Sequence, residues 1–135
     1  MLDAAVFAYG LSVAILTVPI HIAQFEDQDH DFVIRCATPD DVYYCPLQLK
    51  ELVPPHVNPD VTLEGLLGSL AKYRGASDMI VAVKLNRPGY DLTDIKVPPL
   101  EIGELWFFGA TNDREWFLYG DCLQSASFSQ FTYPA

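Results

Sequence analysis

Hydrophobic residues recur at helical spacing near the middle of the chain. They occupy positions i, i+3, i+4, i+7 and i+8 of one segment, namely Leu63, Leu66, Leu67, Leu70 and Ala71. Asp60 or Thr62 can cap the start of this segment, and Gly75 follows its last turn, where glycine commonly ends a helix. The pattern therefore predicts a helix over residues 62–74 with one apolar face.

The segments on either side of this helix carry strand patterns. Residues 32–36 alternate as a strand does, "ATPDD" supplies turn residues, and 42–52 is predicted to be the return strand. The return strand has one face of Cys45, Leu47 and Leu49 and another of Pro46, Gln48 and Lys50. After the helix, the apolar run 78–86 predicts a strand buried on both faces, and its arrival through a crossover helix implies a parallel partner.

The two ends of the chain predict further elements. The uncharged run 4–25 predicts a buried helix from about Leu2 and then an extended segment, and no Lys or Arg precedes it as a signal peptide or anchor would require. A membrane anchor is the minor alternative, because the run is long enough to span a bilayer. One helical turn is expected near 92–95, and "ELWFFGATNDREWFLYGD" predicts an aromatic hairpin, followed by a strand or an extended tail.

In order, these elements are a helix, three strands, a helix and a strand, followed by the aromatic hairpin. We expect one domain over 1–135, of α/β or α+β class, with a mixed sheet and helices packed on it. Half of the 135 residues are hydrophobic, which is enough to bury a real core.

Charge and cysteine content narrow the functional classes. Eighteen acidic and eight basic residues give a formal charge of −10, which opposes binding to a polyanion unless a locally basic or metal-filled cleft offsets it. Cys36, Cys45 and Cys122 lack metal-ligand spacing. We expect them to be buried thiols in a reducing cytoplasm, in preference to a disulfide.

A candidate site follows from the register of the first predicted hairpin. If "TPDD" forms a four-residue loop, Ala37 pairs with Val42. Asp31 then lies across from Gln48 on the same face, and Lys50 is one same-face step beyond. A register shifted by one residue would place Asp31 opposite a core leucine and separate the three side chains. The parity of the hairpin is therefore decisive.

These side chains have the chemistry of a metal-dependent hydrolytic site. The carboxylate of Asp31 and the amide oxygen of Gln48, with a main-chain carbonyl, can ligate Mg²⁺. Lys50 can orient or activate a water whose pKa the metal lowers. Because the amide of Gln48 carries no charge, such a site holds a divalent ion more loosely than one with two carboxylates. Asp31, Gln48 and Lys50 are the candidate catalytic residues.

The motif and the order of elements resemble the PD-(D/E)xK, or restriction-endonuclease-like, superfamily. "DHDFVI" would supply its aspartate as Asp31, and "LQLKEL" would supply its acid-x-Lys motif as Gln48-x-Lys50, with the glutamine that some members carry in the acid's place. The resemblance covers about residues 2–86. It implies a core of a helix, three antiparallel strands, a crossover helix and a further strand. Many members add a glutamate from the first helix, where this chain offers only Asp3. The resemblance therefore makes Glu26, in the loop before Asp31, a further candidate metal ligand in place of that glutamate.

The resemblance implies a Mg²⁺-dependent nuclease acting on DNA, or a catalytically degenerate relative. A homodimer would suit a nuclease of this size, since one copy covers little DNA. The three side chains should then converge in a cleft with basic residues such as Arg35 or Lys84 nearby.

The alternative is a non-enzymatic, inhibitor or immunity-type protein that binds a basic protein partner through its acidic surface and aromatic hairpin. Alternate hairpin residues face opposite sides, so about half of Trp106, Phe107, Phe108, Trp116, Phe117 and Tyr119 should be core. In this interpretation Gln48 and Lys50 are ordinary solvent-exposed residues of a hairpin.

Overall fold

Seven strands form one mixed sheet with an α-helix on each face. The computed structural model describes residues 2–16, 18, 20–24, 32–87 and 90–134. The helical elements are α1 (Leu2–Gly10), a π-helical segment (Leu11–Leu16), α2 (Leu63–Ser69), and 3₁₀ turns at Leu70–Lys72 and Leu92–Asp94. The strands are β1 (Ile20–Gln24), β2 (Phe32–Ala37), β3 (Val42–Leu52), β4 (Ala76–Leu85), β5 (Ile102–Ala110), β6 (Glu115–Gly120) and β7 (Ser127–Thr132).

The strands lie in the sheet in the order in which they occur in the chain. The β1–β2 and β2–β3 pairs are antiparallel, β4 is parallel to both β3 and β5, and the β5–β6 and β6–β7 pairs are again antiparallel. The parallel β3–β4 pair is the one predicted from the crossover through α2, because parallel neighbours need such a connection. The mixed sheet confirms the α+β class.

Two apolar cores lie on the two faces of this sheet. On the first face α1 packs on the sheet, and its Phe7 is fully buried together with Leu47 and Phe108. On the second face α2 and the 92–94 turn cover the sheet, with Leu67 and Phe107 buried there. Below, these are called the α1 face and the α2 face.

The second helix is shorter than its apolar spacing predicts. Thr62, not Asp60, is its cap, and the Thr62 hydroxyl oxygen accepts a hydrogen bond of 3.0 Å from the Gly65 amide. The α-helix ends at Ser69 and tightens into the 3₁₀ turn, after which Tyr73 is extended and its ring is buried in the α2-face core. The predicted helix over 62–74 is therefore too long at its end, because burial of Tyr73 competes with continuation of the helix. Gly75 makes the reversal with a φ of +59°, which favours glycine.

The other predicted elements are present with small shifts. The first helix starts at Leu2 as expected and continues as the π-helical segment before β1. The predicted strand 78–86 is β4, and the helical turn predicted near 92–95 is the 3₁₀ turn at 92–94. The aromatic hairpin is β5–β6, and the tail forms β7. Among the described helices, none combines the length and the apolar character needed to cross a membrane.

Candidate functional site

The two faces of β3 separate the candidate polar residues from the apolar ones. Leu47 is buried in the α1-face core, and Leu52 is buried in the α2-face core. Because successive strand residues point to opposite sides, Gln48 and Lys50 lie on the α2 face with Leu52. The sequence prediction that Gln48 and Lys50 share a face is confirmed.

The register of the β2–β3 hairpin has the parity on which the candidate site depends. Phe32 pairs with Leu47, and the same register continues to Ala37 opposite Val42. The loop between the strands is closed at Thr38, whose amide donates to the Asp41 carbonyl at 2.8 Å. The predicted pairing is therefore confirmed for the strands themselves. Asp31 and Glu26, the two carboxylates of the candidate site, lie outside the described residues.

Gln48 is the one polar side chain that is buried within the part of the chain that the structure describes, at 8% exposure. It lies opposite Val81 in the parallel β3–β4 pair, so it occupies the middle of the sheet and not an edge. Its Nε2 is 3.5 Å from the Leu49 carbonyl oxygen, a long contact. A buried amide at the centre of a sheet is unlike the exposed hairpin residue of the alternative interpretation, because burial of an amide has a cost that must be offset by partners.

Lys50 is half-buried beside the ring of Tyr73. The Lys50 Nζ lies 5.7 Å from the centre of that ring, and the Lys72 Nζ lies 5.1 Å from the same centre. Tyr73 itself is 5% exposed, so its ring is a fixed platform between β3 and the end of α2. Two ammonium groups therefore lie close to one ring in a chain whose net charge is −10. Lys50 is one same-face step along β3 from Gln48.

The two other basic residues expected at the site lie in different places. Lys84 lies on the α1 face, where its Nζ is 3.0 Å from the Asp3 carboxylate and 5.8 Å from the Trp116 ring centre. It is on the wrong face to assist Gln48, because the alternation of β4 places it opposite to its buried neighbour Val83. Arg35 is on the α2 face opposite Tyr44, two same-face steps along β3 from Gln48. That offset of four residues is roughly 13 Å.

An acidic cleft that the sequence did not predict lies at the start of β4, on the α1 side. It has a volume of about 420 Å³, and its lining includes Cys45, Asp78, Glu104 and Asp121. Its carboxylates serve the fold. Asp121 Oδ1 accepts from the amides of Leu105 and Leu123, and Glu104 Oε1 accepts from the Trp106 indole at 2.7 Å.

The cysteines are partly buried free thiols. Burial, followed by the negative charges of Glu104 and Asp78, raises the pKa of Cys45 above its ordinary value. Burial and then the charge of Asp121 raise the pKa of Cys122 to about 12. Among the described residues, no group of three or more His, Cys, Asp or Glu side chains could hold a metal ion. The predicted carboxylate ligands, Asp31 and Glu26, lie outside those residues.

Half of the six aromatic residues of the hairpin are buried, as predicted, but these three lie together on β5. Trp106, Phe107 and Phe108 are all buried, since β5 lies between two strands and is covered on both faces. The exposed aromatic side chains are elsewhere. Tyr43 and Tyr44 stand at the start of β3, each more than half exposed, and Phe128 lies on β7. For the protein-binding alternative, the hairpin therefore offers only the partly buried aromatic residues of β6, which are Trp116, Phe117 and Tyr119.

Comparison of this chain with protein families, with curated proteins and with solved structures finds no match.

Proposed function

We propose that this chain is a restriction-endonuclease-like domain that hydrolyses phosphodiester bonds with Mg²⁺. Asp31 and Gln48 would bind the metal with help from Glu26, and Lys50 would orient the attacking water. The observation that carries the proposal is the pairing of Phe32 with Leu47. Continued by one residue, this register predicts Asp31 opposite Gln48, with Lys50 one same-face step away.

The connection of the strands supports the same proposal. Strands β1 to β3 are antiparallel, and α2 then leads to β4, which lies parallel to β3. This order supports the proposal, because the resemblance implies a helix, three antiparallel strands, a crossover helix and a further strand for residues 2–86. Strands β5 to β7 are additional and complete the far side of the sheet.

The chemistry of the available donors suits Mg²⁺, which prefers oxygen ligands. Gln48 contributes an amide, and the Leu49 carbonyl lies 3.5 Å from the nitrogen of that amide. Both donors are neutral, so the charge that retains the ion must come from Asp31 and Glu26. When bound, the metal would polarise the phosphate and lower the pKa of a water.

Lys50 has a role that its surroundings favour. Lys50 is one same-face step from Gln48, and its ammonium lies beside the Tyr73 ring. This cation–π contact restrains the ammonium. A restrained ammonium can donate a hydrogen bond to a water or to a phosphate oxygen, which positions the nucleophile and offsets developing negative charge. Lys72 serves as a control, because its ammonium lies near the same ring but is carried by the 3₁₀ turn after α2.

The test combines calorimetric titration with Mg²⁺ or Mn²⁺ and a plasmid-nicking assay. We expect the native chain to bind metal and nick plasmid, Asp31→Ala to lose both, and Lys50→Met to retain metal but lose nicking. Lys72→Met should retain both. Metal binding without nicking in the native chain would identify a catalytically degenerate relative. A native chain that binds neither metal nor DNA would refute the proposal.

A second candidate function rests on a different observation. Val42, Tyr43 and Tyr44 are exposed together at the start of β3, in a strongly acidic chain. Large exposed apolar side chains with surrounding charge are typical of a protein-binding surface. An inhibitor or immunity-type protein would use them against a basic partner. If a purified basic partner bound the native chain and a Tyr43→Ser, Tyr44→Ser variant equally well, this second function would be excluded.

A further inference from the structure

Strand β7 is an unprotected edge of the sheet. In the part of the chain that the structure describes, β6 is its only neighbouring strand. Natural edge strands are usually protected from pairing by charged residues, proline or a bulge. The register of β7 with β6 is continuous from Ser127 to Thr132, so no bulge interrupts it. From Leu123 to Ala135 the sequence contains no Asp, Glu, Lys or Arg.

The hydrogen bonds of β6 determine which backbone groups of β7 face outward. The Tyr133 amide donates to the Arg114 carbonyl at 3.0 Å, in line with the β6–β7 register. On the other side of β6, the Thr111 amide donates to the Glu115 carbonyl, so alternate residues of β6 bond to β5 and to β7. Bonded and non-bonded pairs alternate along an antiparallel ladder. The N–H and C=O groups of Phe128, Gln130 and Thr132 therefore point away from β6.

An exposed apolar side chain lies on this edge strand. Phe128 is 54% exposed and packs on Tyr119 with 4.4 Å between ring centres, on the α2 face. On the α1 face, the π-helical segment packs against β7. The edge thus offers outward hydrogen-bonding groups beside an exposed aromatic ring, which is the composition of a strand-pairing interface.

We propose that β7 pairs with β7 of a second copy of this chain in antiparallel register centred on Gln130. Gln130 then lies opposite Gln130 of the partner subunit, and Phe128 lies opposite Thr132 of the partner subunit. The outward N–H and C=O groups of Phe128, Gln130 and Thr132 then all form hydrogen bonds with the partner subunit. One two-fold axis relates the two strands, as an isologous interface requires.

Charge explains why a second copy pairs at β7 and not at β1. Two copies that each carry −10 repel one another, and repulsion is weakest where neither surface is charged. Strand β7 itself carries no charged side chain, and the Glu115 carboxylate beside it on β6 accepts a hydrogen bond of 2.8 Å from the Thr132 hydroxyl. Strand β1 has only five residues, and the sequence from Glu26 to Asp31 that follows it contains four acidic residues.

Disulfide trapping tests the register. In the proposed dimer the two Gln130 Cα atoms are a hydrogen-bonded pair about 5.5 Å apart. A Gln130→Cys variant should therefore form a covalent dimer on mild oxidation, because this spacing suits a disulfide. Thr132→Cys is the matched control, on the same strand and face. Its two copies would be offset by four residues, roughly 13 Å, and should not cross-link. Replacing Cys36, Cys45 and Cys122 with serine removes background coupling in both variants.

Sedimentation across a dilution series tests the interface without a cross-link. The native chain and Gln124→Lys, which places a charge on an exposed turn outside β7, should be dimers. Gln130→Lys should be a monomer with an unchanged circular dichroism spectrum, because it places two ammonium groups together at the two-fold axis. A native monomer at every concentration, a dimer that survives Gln130→Lys, or equal cross-linking of the two cysteine variants would overturn the proposal.

Discussion

The Lys84 ammonium lies 3.0 Å from the Asp3 carboxylate and joins the end of β4 to the first turn of α1. Asp3 is the acidic residue of that helix, and the ion pair keeps it on the α1 face. Gln48 and Lys50 lie on the other face of the same sheet. The first-helix residue Asp3 and the expected basic neighbour Lys84 therefore lie on the face of the sheet opposite to Gln48 and Lys50.

We expect this ion pair to contribute little to stability. Its side chains are 21% and 34% exposed, and pairs open to solvent are typically worth less than about 1 kcal/mol. In a double-mutant cycle of Asp3→Asn and Lys84→Met, measured by urea unfolding, the coupling free energy should fall in that range and shrink with added salt. A coupling above about 3 kcal/mol would show that the pair behaves as a buried one.

In the Gln48→Glu variant, the melting temperature should depend on Mg²⁺ binding. The new carboxylate would be buried, which should destabilise the metal-free chain by about 1–3 kcal/mol. Because a bound cation would offset that charge, Mg²⁺ should raise the melting temperature of Gln48→Glu more than that of the native chain. Gln48→Leu, which has no oxygen ligand, should not respond. Equal responses of all three chains to Mg²⁺ would show that the ion does not bind beside residue 48.

The hydroxyl of Thr62 should stabilise α2 measurably. It accepts the Gly65 amide, one of the donors that have no partner within the helix itself. Thr62→Ala should lower the free energy of unfolding by about 1 kcal/mol, and Thr62→Ser should restore most of it. Asp60→Ala is the matched control, since the sequence allowed Asp60 as the cap but the structure uses Thr62. Chemical denaturation that ranks Asp60→Ala as the more damaging change would reverse this assignment.

The guanidinium of Arg87 holds the proline-rich segment after β3. It donates to the backbone carbonyls of Val53, Asn58 and Val61, with the Val61 contact at 2.8 Å. Arg87→Met should destabilise the chain by a few kcal/mol, because hydrogen bonds to charged groups contribute about 1.5–3 kcal/mol each and act here as a unit.

Limited proteolysis gives a local measure of the same effect. The 53–62 segment should become the first site of cleavage in Arg87→Met. Lys96→Met removes an exposed cation without such contacts and should leave the cleavage pattern of the native chain unchanged. First cleavage at the same place in both variants would mean that Arg87 does not hold this segment.

Local patterns predicted the elements of the fold well, because turn residues and alternation act over a few residues. "TPDD" and the alternation of 42–52 were enough to predict the register from Ala37 opposite Val42. The extent of α2 was not predicted, since Tyr73 leaves the helix to enter a core formed by residues distant in sequence. The same reason explains the buried Trp106. The alternation of a hairpin gives two faces, but only the tertiary structure shows that both faces of β5 are covered.

The candidate site was predictable in part for a similar reason. Gln48 and Lys50 are two residues apart on one strand, so their common face follows from strand geometry alone. That Lys84 lies on the opposite face to Lys50 could be assigned only from the parallel β3–β4 register, in which Lys50 lies opposite Val83. Nothing in the sequence indicated the shared ring of Tyr73, because α2 and β3 meet only in the folded chain.

The thiol of Cys122 should make stability depend on alkaline pH. Burial and the neighbouring Asp121 raise its pKa to about 12 in the folded chain, from 9.0 for an ordinary thiol. Between these values the unfolded chain has lost the proton that the folded chain retains, so unfolding is favoured as pH rises. The stabilising contribution is complete below about pH 9 and is lost progressively toward pH 12. We therefore expect the native chain to lose more stability than Cys122→Ala between pH 8 and pH 11, measured by thermal unfolding under reducing conditions.

Alkylation provides an independent check on the same thiol. At pH 8.5 Cys122 should react with iodoacetamide more slowly than a cysteine of a short unstructured peptide, because the thiolate is the reactive form and burial keeps the thiol protonated. In urea the difference should disappear. Equal rates in the folded chain and in the peptide would show that the Cys122 thiol ionises normally, and the pH dependence expected above would then have another origin.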